Sequence, residues 1–207
     1  MKKIVSTILA IVLITNANYS NNYMLNRKDL YMLANEGFIE MELRNALSDK
    51  DLQKDIYLMC IDFDLNYVDT LIIAFKESSF RANALNYNEP KTDEYGNVYM
   101  GASYDIGIMQ LNIPADKLDD NQHLFNAKKN IKSAMYKIRD MIDRYKPQNR
   151  KELMILYNMG EKNLEKYRNG ELTLSEEWER RQEEVERYIE QEIRKSVNNK
   201  VLNLMKK

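Results

Sequence analysis

Glu77 is the residue whose surroundings most favour chemistry. It follows Leu71-Ile72-Ile73-Ala74-Phe75, five apolar residues in a row, and Lys76. Asn66 is a good helix N-cap type, and Val68, Leu71, Ile72 and Phe75 recur at helical spacing, so the pattern predicts a helix with Glu77 in its last turn. A helix apolar on so many sides is expected to be buried. Burial disfavours the ionised carboxylate, and the negative end of the helix dipole does the same. Both effects raise the pKa and keep a proton on Glu77 near neutral pH, the state a general acid needs. The plainer alternative is a carboxylate that reaches solvent where its helix ends.

A second stretch, Ser103–Asn112, reads Ser-Tyr-Asp-Ile-Gly-Ile-Met-Gln-Leu-Asn. Gly107 has apolar neighbours on both sides, which suggests a close backbone approach rather than a plain loop. Gln110 and Asn112 carry amides that both donate and accept hydrogen bonds, a match for sugar hydroxyls and N-acetyl groups. Met109 offers an adaptable apolar surface to a sugar ring.

The elements that must position these residues are mostly helical. Asn26–Leu47 suggests one or two short helices packed on the main body, weakened in the middle by Gly37. Ser48 is a suitable N-cap for Asp49–Phe63, whose Leu52, Ile56, Met59 and Cys60 form an apolar stripe. Asp64-Leu65-Asn66 turns the chain into the Glu77 helix. Arg81–Ala102 is rich in Asn, Gly and Tyr, and Tyr95-Gly96-Asn97-Val98-Tyr99 predicts a small hairpin. Long loops of this kind are often functional; the alternative is a mobile surface insertion. Helices are expected again at Asn126–Tyr145 and Arg150–Tyr157, with Gly160 as a stop. Ser175 caps a long charged helix expected to end near Val197. Between Glu176 and Lys195 it holds eight Glu and five Arg or Lys, the pattern of a solvated face laced with ion pairs. Trp178, Val185, Tyr188, Ile189 and Ile193 give it an apolar stripe for docking.

Composition narrows the function. The 207 residues are 44% hydrophobic, enough for a core, and 30% charged with a net charge of -1. With no overall basic field, nucleic acid is not an expected partner. Cys60 is the only cysteine, so no internal disulfide can form, and it reads as a small core residue. His123 is the only histidine and reads as a surface or packing residue. No metal-ligand cluster, Gly-rich phosphate loop or Ser-His-Asp arrangement is present, and neither a metal nor a cofactor is expected. Met1–Ser20 reads as an export signal: Lys2 and Lys3, then the apolar run Ile4–Ile14, then a possible cut after Ala17. The run is short for a membrane span, which takes about 20 residues, though an uncleaved anchor is the alternative. The protein is therefore expected in the periplasm or cell envelope.

Four segments match one family in order. Glu-Ser-Ser-Phe at 77–80, Gly-Ile-Met-Gln at 107–110, Asn-Ile at 130–131 and Tyr-Asn-Met-Gly at 157–160 resemble the soluble lytic transglycosylase family, over roughly residues 55–195. The Ser103–Asn112 wording most resembles its secretion- and invasion-associated branch. The resemblance implies a mainly α, α+β lysozyme-like fold: a helical bundle around the buried Glu77 helix with a small β-hairpin insertion. The implied layout is a signal at 1–20, an N-terminal helical extension at 21–50, a transglycosylase domain at 51–197 and a tail at 198–207. Glu77 falls on the family's single catalytic acid/base. Met109 and Gln110 fall on groove residues that contact the sugar chain, Tyr157 and Asn158 on a pair facing the catalytic centre, and Tyr188 on a late tyrosine near the glutamate. Ser103 is the nearest match to a serine before the glycine motif. Met159 stands in place of the usual alanine, and Ala134 in place of a common glycine. The segment between Glu77 and Gly107 is longer than typical.

The family cleaves peptidoglycan with one carboxylate where ordinary glycosidases use two. Glu77 is expected to protonate the oxygen between N-acetylmuramic acid and N-acetylglucosamine. It is then expected to deprotonate the muramic C6 hydroxyl, which closes a 1,6-anhydro ring without consuming water. Two alternatives stand beside this. A hydrolytic lysozyme on the same fold would use Asp105 to hold a water, although Asp105 also reads as a turn or capping residue. A non-catalytic peptidoglycan-binding scaffold would keep the groove without turnover. The expected partner is the glycan strand, with a secretion-machinery or cell-envelope protein as a further possibility, and the protein is expected to be a monomer.

Overall fold

The computed structural model describes residues 26–87, 91–92, 98–99, 104–112 and 122–205. Met1–Ser20, Ser103, Tyr95-Gly96-Asn97 of the expected hairpin and the side chain of His123 lie outside the described residues. The described chain is mainly α with a small antiparallel sheet, the class expected of a lysozyme-like protein.

The organising element is helix α3, Tyr67–Ser78. It follows α1, Arg27–Glu36, and α2, Lys50–Asp62. The Asn66 side chain accepts from the Asp69 N–H at 2.9 Å, and Asn35 of α1 accepts from the Val68 N–H at 3.0 Å. Two of the four N–H groups that a helix start leaves open are thus satisfied. Val68, Leu71, Ile72, Ile73 and Ala74 are all buried, because α3 lies against α1, α2 and the long C-terminal helix at once. Burying these side chains stabilises the fold by roughly 1.5–3 kcal/mol each for the larger ones. The helix ends at Ser79 and Phe80, both with positive φ (55° and 67°). The Ser79 N–H closes onto the Phe75 carbonyl at 2.7 Å, and the Phe80 ring is fully buried.

Around α3 the chain builds two supports. The first is a three-stranded antiparallel sheet, ordered β1 (Leu85–Tyr87), β4 (Tyr104–Ile106), β5 (Leu111–Asn112). A separate two-stranded hairpin pairs β2 (Lys91–Thr92) with β3 (Val98–Tyr99), where a hairpin was expected. In the larger sheet Asp105 lies opposite both Asn86 and Asn112, so these three share a face, while Ile106 and Leu111 point to the core.

The second support is helical: α4 (Ala127–Tyr145), α5 (Arg150–Met159), α6 (Glu161–Arg168) and α7 (Glu176–Met205). Asn126, Asn149 and Ser175 supply side-chain caps to α4, α5 and α7. Between α5 and α6, Gly160 has φ 81°. Helix α7 does not stop near Val197 but runs to Met205, so the expected tail at 198–207 is largely helical. Nothing in its Asn198–Leu204 sequence breaks a helix.

The N-terminal segment is tied in by ions and amides. Arg27 bridges Glu183, Glu186 and Glu190 of α7 at 2.8–3.3 Å. Arg150 of α5 meets Asp69 of α3 at 2.5 Å and Glu186 at 3.7 Å, and lies over the Tyr31 ring. Residues 38–44 are not helical; buried Gln53 accepts from the Met41 N–H and donates to the Met41 and Leu47 carbonyls. Asp49, not Ser48, caps α2, accepting from the Asp51 and Leu52 N–H groups, while Ser48 ends a short 3-10 turn and bonds Asn45. A carboxylate that takes two helix N–H groups outcompetes a hydroxyl that takes one. Cys60 is buried where α2 meets α3, 3.5 Å from the Thr70 hydroxyl, and burial pushes its thiol up to about 12. No helix among the described residues is long and apolar enough to cross a membrane.

Candidate active site

Glu77 sits in the last turn of α3, half-buried, on the wall of a cleft of about 930 Å³. The cleft runs between the polar face of the sheet (Asn86, Asp105), the turn residue Gln110, the end of α5 (Asn158) and the first turns of α7. The Glu77 carboxyl is raised from its ordinary range to about 7. Desolvation by burial is the main cause. The Lys76 charge, the amide bond from Asn158 and the Lys137 charge oppose it, and the Asp105 charge adds to it. The side-chain N–H of Asn158 donates to the Glu77 carboxylate, and Asn158 is exposed to the cleft. The carboxyl, raised toward neutral pH and in contact with one amide, is thus placed to give and later take a proton.

The turn that carries Gln110 is gripped by three helices. Ser78 of α3 donates to the Ile108 carbonyl at 2.8 Å. Asn130 of α4, fully buried, accepts from the Met109 N–H at 2.8 Å and donates to the Ile106 carbonyl at 2.9 Å. Tyr157 of α5 donates its hydroxyl to the Met109 carbonyl at 2.7 Å. Gly107 (φ 77°) permits this approach: a Cβ there would lie 2.4 Å from the Asn130 amide nitrogen and 2.5 Å from the Leu124 carbonyl. Gln110, itself at φ 48°, donates to the Gly107 carbonyl at 2.8 Å and faces the cleft.

Of the residues expected at the site, Glu77, Gln110 and Asn158 converge on one cleft. Met109, expected against a sugar ring, is fully buried, because the grip on its N–H and C=O turns its side chain into the core. Tyr157 is buried too and holds the turn rather than lining the cleft. Tyr188 stacks on Phe75, ring centroids 4.5 Å apart, with the Arg44 guanidinium over both rings. It braces the helix that carries Glu77 and is not part of the cleft wall. Asp105 is neither a turn nor a cap; it is a strand residue on the cleft wall, accepting from Asn112 at 2.8 Å. Sequence reasoning missed Lys76, Arg81, Asn86, Trp178 and Arg181, all on the wall. Lys76 is adjacent to Glu77 and was visible, but nothing in one sequence brings residues 178 and 181 beside 76.

The transglycosylase SLT domain model matches residues 65–177, more than half of the chain. The chain belongs to the transglycosylase SLT domain family. The matched segment opens just before α3 and closes in the first turn of α7, so it spans the Glu77 helix, the sheet, the gripped turn and Asn158. Membership in the SLT family supports a peptidoglycan-directed activity of the lytic transglycosylase type. No curated protein and no solved structure gives a significant match.

Proposed function

We propose that the protein is a peptidoglycan lytic transglycosylase that cleaves the N-acetylmuramic acid–β-1,4–N-acetylglucosamine bond with Glu77 as its single acid/base. The observation that carries this reading is a carboxyl raised to about 7 by burial, in contact with Asn158, on the wall of a cleft of about 930 Å³. Protonated Glu77 gives its proton to the bridging oxygen as the C1–O bond breaks and positive charge develops on the muramic ring. The resulting carboxylate, steadied by Asn158, takes the proton of the C6 hydroxyl as that oxygen bonds to C1. Glu77 ends protonated, and the products are a free N-acetylglucosamine end and a 1,6-anhydromuramic end. Gln110, Asn86 and Asp105 supply hydrogen-bonding groups to the strand. The substrate places the enzyme outside the cytoplasm, in the periplasm or cell envelope. Met1–Ser20 as export signal and a secretion-associated role belong to the same reading.

Digestion of purified sacculi with mass analysis of the fragments is the test. Wild type should release anhydro-ended muropeptides, and Glu77→Gln should lose about three orders of magnitude in rate, the scale of general acid–base catalysis. Undiminished release by that variant would remove Glu77 from the chemistry. A second reading is a hydrolytic lysozyme, favoured by one observation: Asp105 shares the cleft wall and its charge is felt at Glu77. In that case the fragments carry reducing muramic ends, heavier by one water, and Asp105→Asn abolishes their release.

A further inference from the structure

Three cations line the cleft, and none of them forms an ion pair among the described residues. Arg81 donates from Nε to the Ser78 carbonyl at 3.0 Å, a neutral acceptor at the end of α3. Lys76 donates to the Gln182 amide oxygen at 3.1 Å and lies 3.6 Å from the Trp178 ring centroid. Arg181 is exposed on the cleft wall with no hydrogen bond among the described residues. Its neighbours on α7 behave differently: Arg180, Arg187, Arg194 and Lys195 each bridge a glutamate of the same helix. Glu177 is also on the wall, one turn before Arg181, yet the two are not bridged. Burial is the main force lowering the Lys76 ammonium to about 8, and the Arg181 charge adds to it; the Glu77 and Glu186 charges oppose it without cancelling it, so placing the cation there still costs stability. An incoming anion would offset that cost. Glycan hydroxyls and N-acetyl groups would not, since they bring no charge.

We propose that Lys76, Arg81 and Arg181 form a carboxylate-binding subsite that engages the acidic side chain carried on the O3 oxygen of muramic acid. This rests on the reading of the cleft as a glycan groove. The shared chemistry is a carboxylate, and it has two sources. In peptide-bearing strands the carboxylates belong to the stem peptide, while in strands stripped of peptide the lactyl group itself ends in one. Arg181 lies beyond the matched SLT segment, so the subsite would adapt a general glycan groove to the substituents of the strand.

Binding in the Glu77→Gln background tests this without turnover. The ligands are peptide-bearing glycan fragments, the same fragments stripped by an amidase, and an uncharged oligomer of N-acetylglucosamine. Adding Arg181→Ala should weaken a carboxylate ligand about fivefold more than the uncharged oligomer, the scale of one partly exposed ion pair. Arg181→Lys should restore most of the loss, and 0.5 M salt should mimic it, since exposed ion pairs are screened. A loss confined to peptide-bearing fragments assigns the stem peptide; a loss that extends to stripped fragments assigns the lactyl carboxylate. Equal effects on all three ligands, or none, would overturn the subsite. Release of anhydro products by wild type separates that failure from failure of the transglycosylase reading, which would show as neither release nor binding.

Discussion

Burial acts on two adjacent side chains in opposite directions, lifting Glu77 to about 7 and lowering Lys76 to about 8. For activity the protonated acid is the working form. The ratio kcat/KM should therefore hold steady below pH 6 and fall about tenfold per pH unit above 7. Asn158→Ala removes a bond that favours the ionised form, so it should move that alkaline limb upward while lowering kcat. A pH–rate series on soluble glycan fragments measures both. The same shift predicts a stability effect. Between about 4.5 and 7 the unfolded chain has lost the Glu77 proton and the folded one has kept it, so stability falls as pH rises through that window and stays lower above it. Glu77→Gln lifts this penalty. Urea unfolding should show the variant more stable than wild type at pH 8, by on the order of 2 kcal/mol, with little difference at pH 4.

At the scale of elements, the site depends on a turn held from three sides by Ser78, Asn130 and Tyr157. Asn130→Ala would strand the Met109 N–H and the Ile106 carbonyl in the core, costing about 2–4 kcal/mol by the usual penalty for two buried unpaired groups. Gly107→Ala should be at least as costly, because a Cβ would meet both the Asn130 amide and a backbone carbonyl. Denaturant midpoints check both. The helices behind this grip were legible in the sequence. Asn66, Asn126 and Ser175 mark their starts by side-chain chemistry that acts within three residues, and the α3 run is apolar on nearly every face. What was not legible depends on partners far along the chain. Met109 reads as a ligand contact until Asn130 and Tyr157 are seen to hold its backbone. Ser48 reads as a cap until Asp49 takes both N–H groups. Arg181 reads as one more charge on a charged helix until α7 is laid against Lys76.

At the scale of the whole molecule, α1 and α7 are joined by charge around Glu186. Arg27 and Arg150 approach it from α1 and α5, Tyr31 donates to its carbonyl, and Arg150 carries the connection on to Asp69. Burial raises the Asp69 carboxyl and the Arg150 charge opposes it. Arg150→Met would leave Asp69 and part of Glu186 without their cation, costing about 3 kcal/mol at pH 7. The loss should shrink at pH 4, where Asp69 can take up a proton instead. Thermal unfolding at the two pH values measures the difference.

The lone cysteine at the α2–α3 contact has a practical consequence. Enclosed and held as a thiol far above neutral pH, Cys60 cannot meet a maleimide while these helices stay together. Its labelling rate is therefore a clock for how often the Glu77 helix parts from its neighbour. Because the chain has no second cysteine to pair with it, the clock should keep the same time in oxidising and reducing buffer.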